Sequence, residues 1–95
     1  MQGLWFEWDP RKDAANRRKH GVGFTEATTV FGDPLSITVS DPDHDAEEER
    51  FIIVGLSRGR KCLIVVHTVR ESSIRIISAR IATKHERRIY EENSI

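Results

Sequence analysis

An α+β fold in the order β-α-α-β-β-β-β-α is predicted by three features of the sequence. The N-terminal third is punctuated by helix caps, the middle changes from helical to alternating apolar period, and a capping box opens a last helix after the strands. The expected sheet is mostly antiparallel, with two helices before its main body and one after it. Leu4-Trp5-Phe6-Glu7-Trp8 is short and aromatic-rich, which suits a first strand. Asp9 then supplies an N-cap and Pro10 a first helical position, where the missing N–H costs nothing. Gly21, after Lys19 and His20, permits the positive φ that ends a helix. The first helix is therefore expected over residues 10 to 20. Thr25 is the expected cap of a second, short helix that runs to Phe31 before the turn signal Gly32-Asp33-Pro34.

From Leu35 the period changes. Ile37 and Val39 alternate with Ser36, Thr38 and Ser40, as in a strand with one wet face. Asp41 to Glu49 reads as a polar loop. Phe51–Leu56 and Leu63–Val69 are continuous apolar runs, expected to be covered on both faces and joined by a hairpin turn at Ser57-Arg58-Gly59-Arg60. Glu71-Ser72-Ser73 leads into Ile74–Arg80, so the last four strands form an antiparallel meander. Thr83 and Glu86 have the spacing of a capping box, each side chain satisfying the other residue's free amide, and the final helix runs to about Glu92.

With 95 residues, 38% of them hydrophobic, the chain has material for one core, and a single domain over residues 1–95 is expected. Its 15 basic and 15 acidic residues cancel, but they are segregated. Asp33 to Glu49 carries seven acids and no base, whereas Arg50 to Arg88 carries ten Lys/Arg against Glu71 and Glu86. Such a basic half attracts phosphate polymers by counterion release, or an acidic protein partner. The lone Cys62 excludes an internal disulfide, fits a reducing compartment and lies in an apolar run that makes it a core residue. There is no signal-peptide pattern at the N-terminus and no apolar stretch of membrane-spanning length, so a cytoplasmic protein without a membrane partner is expected.

The stretch Arg75-Ile-Ile-Ser-Ala-Arg80 runs from a strand into the capped cationic helix that holds Lys84, Arg87, Arg88 and Tyr90. Guanidinium forks match pairs of phosphate oxygens, so RNA is the first ligand to consider. Strict alternation would put Arg75 and Arg80 on opposite faces unless a bulge intervenes. Arg80 is the stronger candidate, because it closes an apolar strand just before a helix N-terminus. Arg58 and Arg60, at the hairpin tip, read as a solvated rim.

His67 sits mid-strand with Leu63, Val65 and Val69. A buried imidazole is more often a hydrogen-bonded core residue than a proton carrier, and both readings stay open for it. His20 is explained by its place at a helix C-terminus, and His85 is a weak acid/base candidate. Asp41-Pro42-Asp43-His44-Asp45 starts like a calcium loop but has Ala46 and Ile52 where that loop needs glycine and glutamate. No transition-metal or nucleoside-triphosphate motif is visible, and no cofactor is expected.

Three segments resemble a known family. They are Trp8-Asp9-Pro10-x-Lys12-x-x-x-Asn16-x-x-Lys19-His20-Gly21-Val22-x-Phe24, Phe31-x-Asp33-Pro34, and Arg75-Ile-Ile-Ser-Ala-Arg80-x-Ala-Thr83-x-x-Glu86-Arg87-x-x-Tyr90. In order and spacing they look like the BrnT toxins of BrnT/BrnA type II toxin-antitoxin systems. The resemblance implies a RelE-like ribonuclease that inhibits growth or translation and is neutralised by a BrnA-type antitoxin. It also implies a complex that binds operator DNA through the antitoxin, with a toxin homodimer within that complex as one arrangement.

The family's positions match at Lys19, His20, Arg75, Arg80, Glu86 and Tyr90. The expected chemistry is metal-independent attack of the ribose 2′-OH on the adjacent phosphate. Arg80 and Arg75 would stabilise phosphate charge, Glu86 or His67 would accept the proton, and Tyr90 or a histidine would orient or protonate the leaving oxygen. Lys19, His20, Arg70, Lys84 and Arg87 are the expected RNA contacts. Glu86 carries a conflict, since a carboxylate occupied by a capping box is a poor base. The alternative is a non-catalytic module that binds nucleic acid or docks the antitoxin. Aromatics concentrate between Trp5 and Phe31, outside the central strands, so there is no stacking platform for single-stranded RNA, which favours an enzyme over a reader.

Overall fold

A computed structural model describes residues 5–42 and 48–93. Leu4, where the first strand was expected to begin, and residues 43–47, which hold most of the rejected calcium pattern, lie outside the described residues. The elements are β1 (Phe6–Glu7), α1 (Pro10–His20), α2 (Phe24–Thr29, continuing into a 3-10 turn over Val30–Gly32), β2 (Ile37–Ser40), β3 (Phe51–Leu56), β4 (Cys62–Arg70), β5 (Ser73–Ile81) and α3 (Lys84–Glu92). The order β-α-α-β-β-β-β-α is the predicted one.

Local chemistry sets α1 at both ends. The Arg11 amide donates to Asp9 Oδ1 at 2.8 Å. Gly21, at φ 72°, donates its N–H to the Arg17 carbonyl. Between these caps the helix is almost wholly polar, and Asn16 is its one buried residue. Asn16 Nδ2 donates to the carbonyls of Ala79 (2.7 Å) and Val22 (2.9 Å), and its Oδ1 accepts from the Ala79 amide at 3.2 Å. One side-chain amide thus stands in for a neighbouring strand at the edge of β5 that β1 leaves unpaired.

The start of α2 corrects the expected Thr25 cap. Gly23 is the N-cap and makes no side-chain bond, and the Phe24 amide donates instead to Asp13 Oδ1 at 2.8 Å. Phe24 is fully buried. Burying a phenylalanine is worth about 1.5–3 kcal/mol, against about 1 kcal/mol for a cap, and Asp13 already satisfies the amide.

The five strands form one sheet in the order β1-β5-β4-β3-β2. β2 to β5 are the predicted antiparallel meander, and β1 adds in parallel on the far side of β5, pairing Phe6 with Ile74 and Glu7 with Arg75. The core lies on the face carrying Ile53, Leu63, Val65, Ile76 and Ala79, against Val22, Phe24, Ala27 and Val30. The other face is covered differently. α3 lies over one end, and at the other the Thr68 hydroxyl donates to the Glu49 carbonyl at 2.7 Å. Ile52, Val54, Val66 and Ser78 stay half-buried between them.

A bulge decides where the arginines point. β4 and β5 pair Val66 with Ser78 but His67 with Ile76, so Ile77 is the extra residue. Arg75 then lies opposite Thr68 and Arg80 opposite Ile64. Residues directly opposite share a face, and Ile64 and Thr68 are four apart on one strand. Arg75 and Arg80 therefore occupy the same face, the one away from the main core, about 13 Å apart along the strand.

His67 is on the core face and 4% exposed. Its ring sits edge-on to Phe31, with centroids 4.8 Å apart, and tilted against Phe51 at 5.9 Å. Burial lowers its pKa below the ordinary 6.5. The unfolded chain then binds more protons below that value, so stability is complete above about pH 6.5 and falls as the pH drops through it. His67→Asn is expected to flatten this dependence, as checked by urea midpoints between about pH 5 and 8.

Candidate active site

Arg80 and Glu86 form the centre of the candidate site. Arg80 Nη1 and Nη2 each donate to one Glu86 carboxylate oxygen at 2.8 Å, and Nη1 also reaches the Ile81 carbonyl at 3.3 Å. Glu86 Oε1 accepts the Thr83 amide at 2.8 Å, while Thr83 Oγ1 accepts the Glu86 amide at 3.1 Å. The capping box therefore fixes the carboxylate, and the carboxylate fixes the guanidinium. Of the five guanidinium donors, the Nε–H and the adjacent Nη2–H have no partner among the described residues. That edge is a vacant bidentate fork on a side chain still 40% exposed.

The same geometry bears on the chemistry open to Glu86. Hydrogen bonding from Arg80 pushes its pKa down to about 2. A carboxylate so stabilised is a weak proton acceptor, and its two bonds hold the Arg80 guanidinium in place.

Arg75 is also paired, though more loosely. Its Nη1 donates to Glu7 Oε1 at 3.2 Å. Glu7 accepts the Ser73 hydroxyl at 2.9 Å as well, and these two bonds, with Ser73 the stronger, lower its pKa. Arg70 bridges Glu7 at 4.0 Å and Glu48 at 3.5 Å. Sequence reasoning missed Glu7, because only the pairing of β1 with β5 brings it to Arg75.

Tyr90 is 5% exposed and donates its hydroxyl to Asp33 Oδ2 at 2.6 Å. Asp33 also accepts the amides of Leu35 and Leu56. Burial works against the Asp33 charge, but the three donors outweigh it and hold the carboxyl below its ordinary range. This contact tethers α3 to the turn before β2 and commits the phenol's proton to Asp33. Tyr90→Phe is expected to cost about 1.5–3 kcal/mol of stability, the range for a hydrogen bond to a charged group, and to leave kcat within a few-fold. Chemical denaturation beside single-turnover cleavage tests both parts, and a loss of 100-fold or more in kcat would restore the phenol as a proton donor.

The remaining sequence candidates disperse. His67 lies across the sheet from Arg75 and Arg80, in the core between two phenylalanines. Lys19 and His20 end α1, and no hydrogen bond or ion pair joins them to Arg75, Arg80 or Glu86. Lys84 is exposed in the first turn of α3, and Arg87 approaches Glu91 at 3.7 Å. Cys62 is buried, and burial raises its pKa, so its thiol stays protonated. Among the described residues no group of three or more His, Cys, Asp or Glu side chains converges as a metal site, and no helix is long and apolar enough to cross a membrane.

Comparison with known proteins agrees with this architecture. The crystal structure of the Brucella abortus ribonuclease toxin BrnT superposes with a TM-score of 0.63 at 22% identity, covering 86% of this chain and all of that one. At that identity the likeness is one of fold. No curated protein matches the chain. The family model described as "Ribonuclease toxin, BrnT, of type II toxin-antitoxin system" matches residues 8–86, which run from Trp8, just after β1, through the first turn of α3 and include both members of the Arg80–Glu86 pair. The chain therefore belongs to the BrnT family of ribonuclease toxins of type II toxin-antitoxin systems.

Proposed function

We propose that this single-domain toxin cleaves RNA without a metal ion, by 2′-OH attack on the neighbouring phosphate, at the face of the sheet carrying Arg80 and Arg75. The observation that carries this reading is the vacant Nε/Nη2 fork of Arg80, held in place by Glu86 and Thr83. In-line attack places extra negative charge on the non-bridging oxygens, and a preorganised guanidinium stabilises that charge without having to reorganise. The separation of Arg75 from Arg80 suits contact with a different phosphate of the same strand, so Arg75 binds while Arg80 stabilises the reacting centre. The attack closes a 2′,3′-cyclic phosphate and releases a 5′-oxygen. The proton from the 2′-OH and the one needed by the leaving oxygen exchange with solvent beside the partly exposed Arg80 side chain. Lys84 and Arg87 extend the RNA contact along α3.

A BrnA-type antitoxin is the proposed partner, masking the basic face in the cytoplasm. Operator DNA is bound only through that complex, within which toxin copies pair. The deciding experiment is incubation of the antitoxin-free protein with RNA in EDTA, followed by analysis of the fragment ends. Fragments ending in 2′,3′-cyclic phosphate support the reading. Intact RNA from folded protein, with and without translating ribosomes, overturns it.

A further inference from the structure

Most of the basic half proves to be neutralised in the fold. Six of its ten cations, Arg50, Lys61, Arg70, Arg75, Arg80 and Arg87, each have a carboxylate within 4.0 Å. Arg60 has none among the described residues, and its backbone is unusual, at φ 66°. The turn explains the strain. The Arg60 amide donates to the Ser57 carbonyl and the Ser57 amide to the Lys61 carbonyl, which is a three-residue loop with its left-handed position at Arg60. Glycine favours that position, yet the glycine stands one residue earlier, where a Cβ would meet Glu26 Oε2 at 2.8 Å. An arginine kept where glycine would relieve strain points to a use for its side chain.

Arg60 and Arg87, from different elements, flank a cleft of about 440 Å³ whose apolar lining includes Leu35, Leu56 and Cys62. A second cleft of about 200 Å³ shares Arg60, Cys62 and Arg87 with it. Cys62 lies on the same face as Ile64, two residues along β4, and Ile64 is the residue opposite Arg80. Cys62, which lines both clefts, is thus about 7 Å along β4 from the residue opposite Arg80. Tyr90 and Glu91 complete the lining of the larger cleft, and two arginines beside an apolar floor, at the size of a small-ligand pocket, fit a phosphate with its ribose and base.

We propose that Arg60 and Arg87 form a second nucleotide subsite, holding the phosphate of an RNA residue next to the one at Arg80, with the base against Leu35 and Leu56. This rests on the ribonuclease reading above and gives its substrate a direction across the sheet. Glu91, 3.7 Å from Arg87, is the acid that the incoming phosphate displaces.

The test uses Arg60→Gly, which removes the charge while relieving the backbone, together with Arg87→Ala. Binding of fully 2′-O-methylated, uncleavable single-stranded RNA is followed by anisotropy at several salt concentrations. Each variant is expected to raise Kd about tenfold, the worth of one charge-assisted bond, and to lower the salt slope by about 0.7. Arg60→Lys should recover the slope. Unchanged affinity and slope in folded Arg60→Gly overturns the subsite, and so does an equal loss for polyglutamate, which would mark a general cationic rim. Cleavage of unmodified RNA by the parent protein is scored separately, so failure of the ribonuclease reading is distinguishable from failure of the subsite.

Discussion

Arg80→Ala is expected to lower kcat for RNA cleavage by about 100- to 1,000-fold, the loss typical of removing one preorganised donor from a transition-state site, with a smaller rise in KM. The argument is geometric. Two of its N–H groups are spent on Glu86 at 2.8 Å, which fixes the plane of the guanidinium and aims the vacant Nε/Nη2 edge. An alanine removes that edge altogether. Lysine keeps the charge but not the fork, so Arg80→Lys should fall between the two. The fold should tolerate the change, because Glu86 keeps its bonds with Thr83 and its side chain is 30% exposed to water. Single-turnover cleavage and growth of cells expressing the toxin alone both report the outcome. Full cleavage and undiminished toxicity from soluble Arg80→Ala would remove Arg80 from the site.

Features set by local chemistry were legible in the sequence. Asp9, Pro10 and Gly21 bound α1, and Thr83 and Glu86 open α3, because each cap is satisfied within a few residues. The meander followed from apolar runs and short turns for the same reason. What stayed hidden depends on distant contacts. β1 is only two residues long, and nothing in Phe6–Glu7 announces a parallel place beside β5. The bulge at Ile77 has no glycine to mark it, yet it reverses the parity argument and brings Arg75 and Arg80 to one face. Glu7 and Arg75 are 68 residues apart, so the counter-ion of Arg75 was invisible, and the basic half looked freer than it is. Asn16 was legible as part of a family pattern but not as a strand-edge cover, since only the folded edge of β5 supplies its partners.

Glu86→Gln separates two roles that its place beside Arg80 would otherwise confuse. Glutamine is accepted at the third position of a capping box, so α3 should keep its N-terminus. What disappears is the negative charge and the second arm of the bidentate pair. If Glu86 is the orienting counter-ion, Arg80 gains freedom and the face gains positive charge. KM for RNA should then drop, its salt dependence should steepen, and kcat should fall less than about tenfold, because a hydrogen bond to Arg80 survives. If Glu86 were the general base, kcat should instead fall about 100- to 10,000-fold with KM unchanged. The pH profile adds an independent readout. A carboxyl whose pKa is lowered from 4.5 to about 2 stays ionised everywhere above its ordinary value, and its pairing is lost only as the pH falls through about 2. Cleavage rates above about pH 5 should therefore show no limb belonging to Glu86, and the glutamine variant should trace a curve of the same shape. A limb near neutrality that vanishes in Glu86→Gln would return the carboxylate to the proton-transfer step.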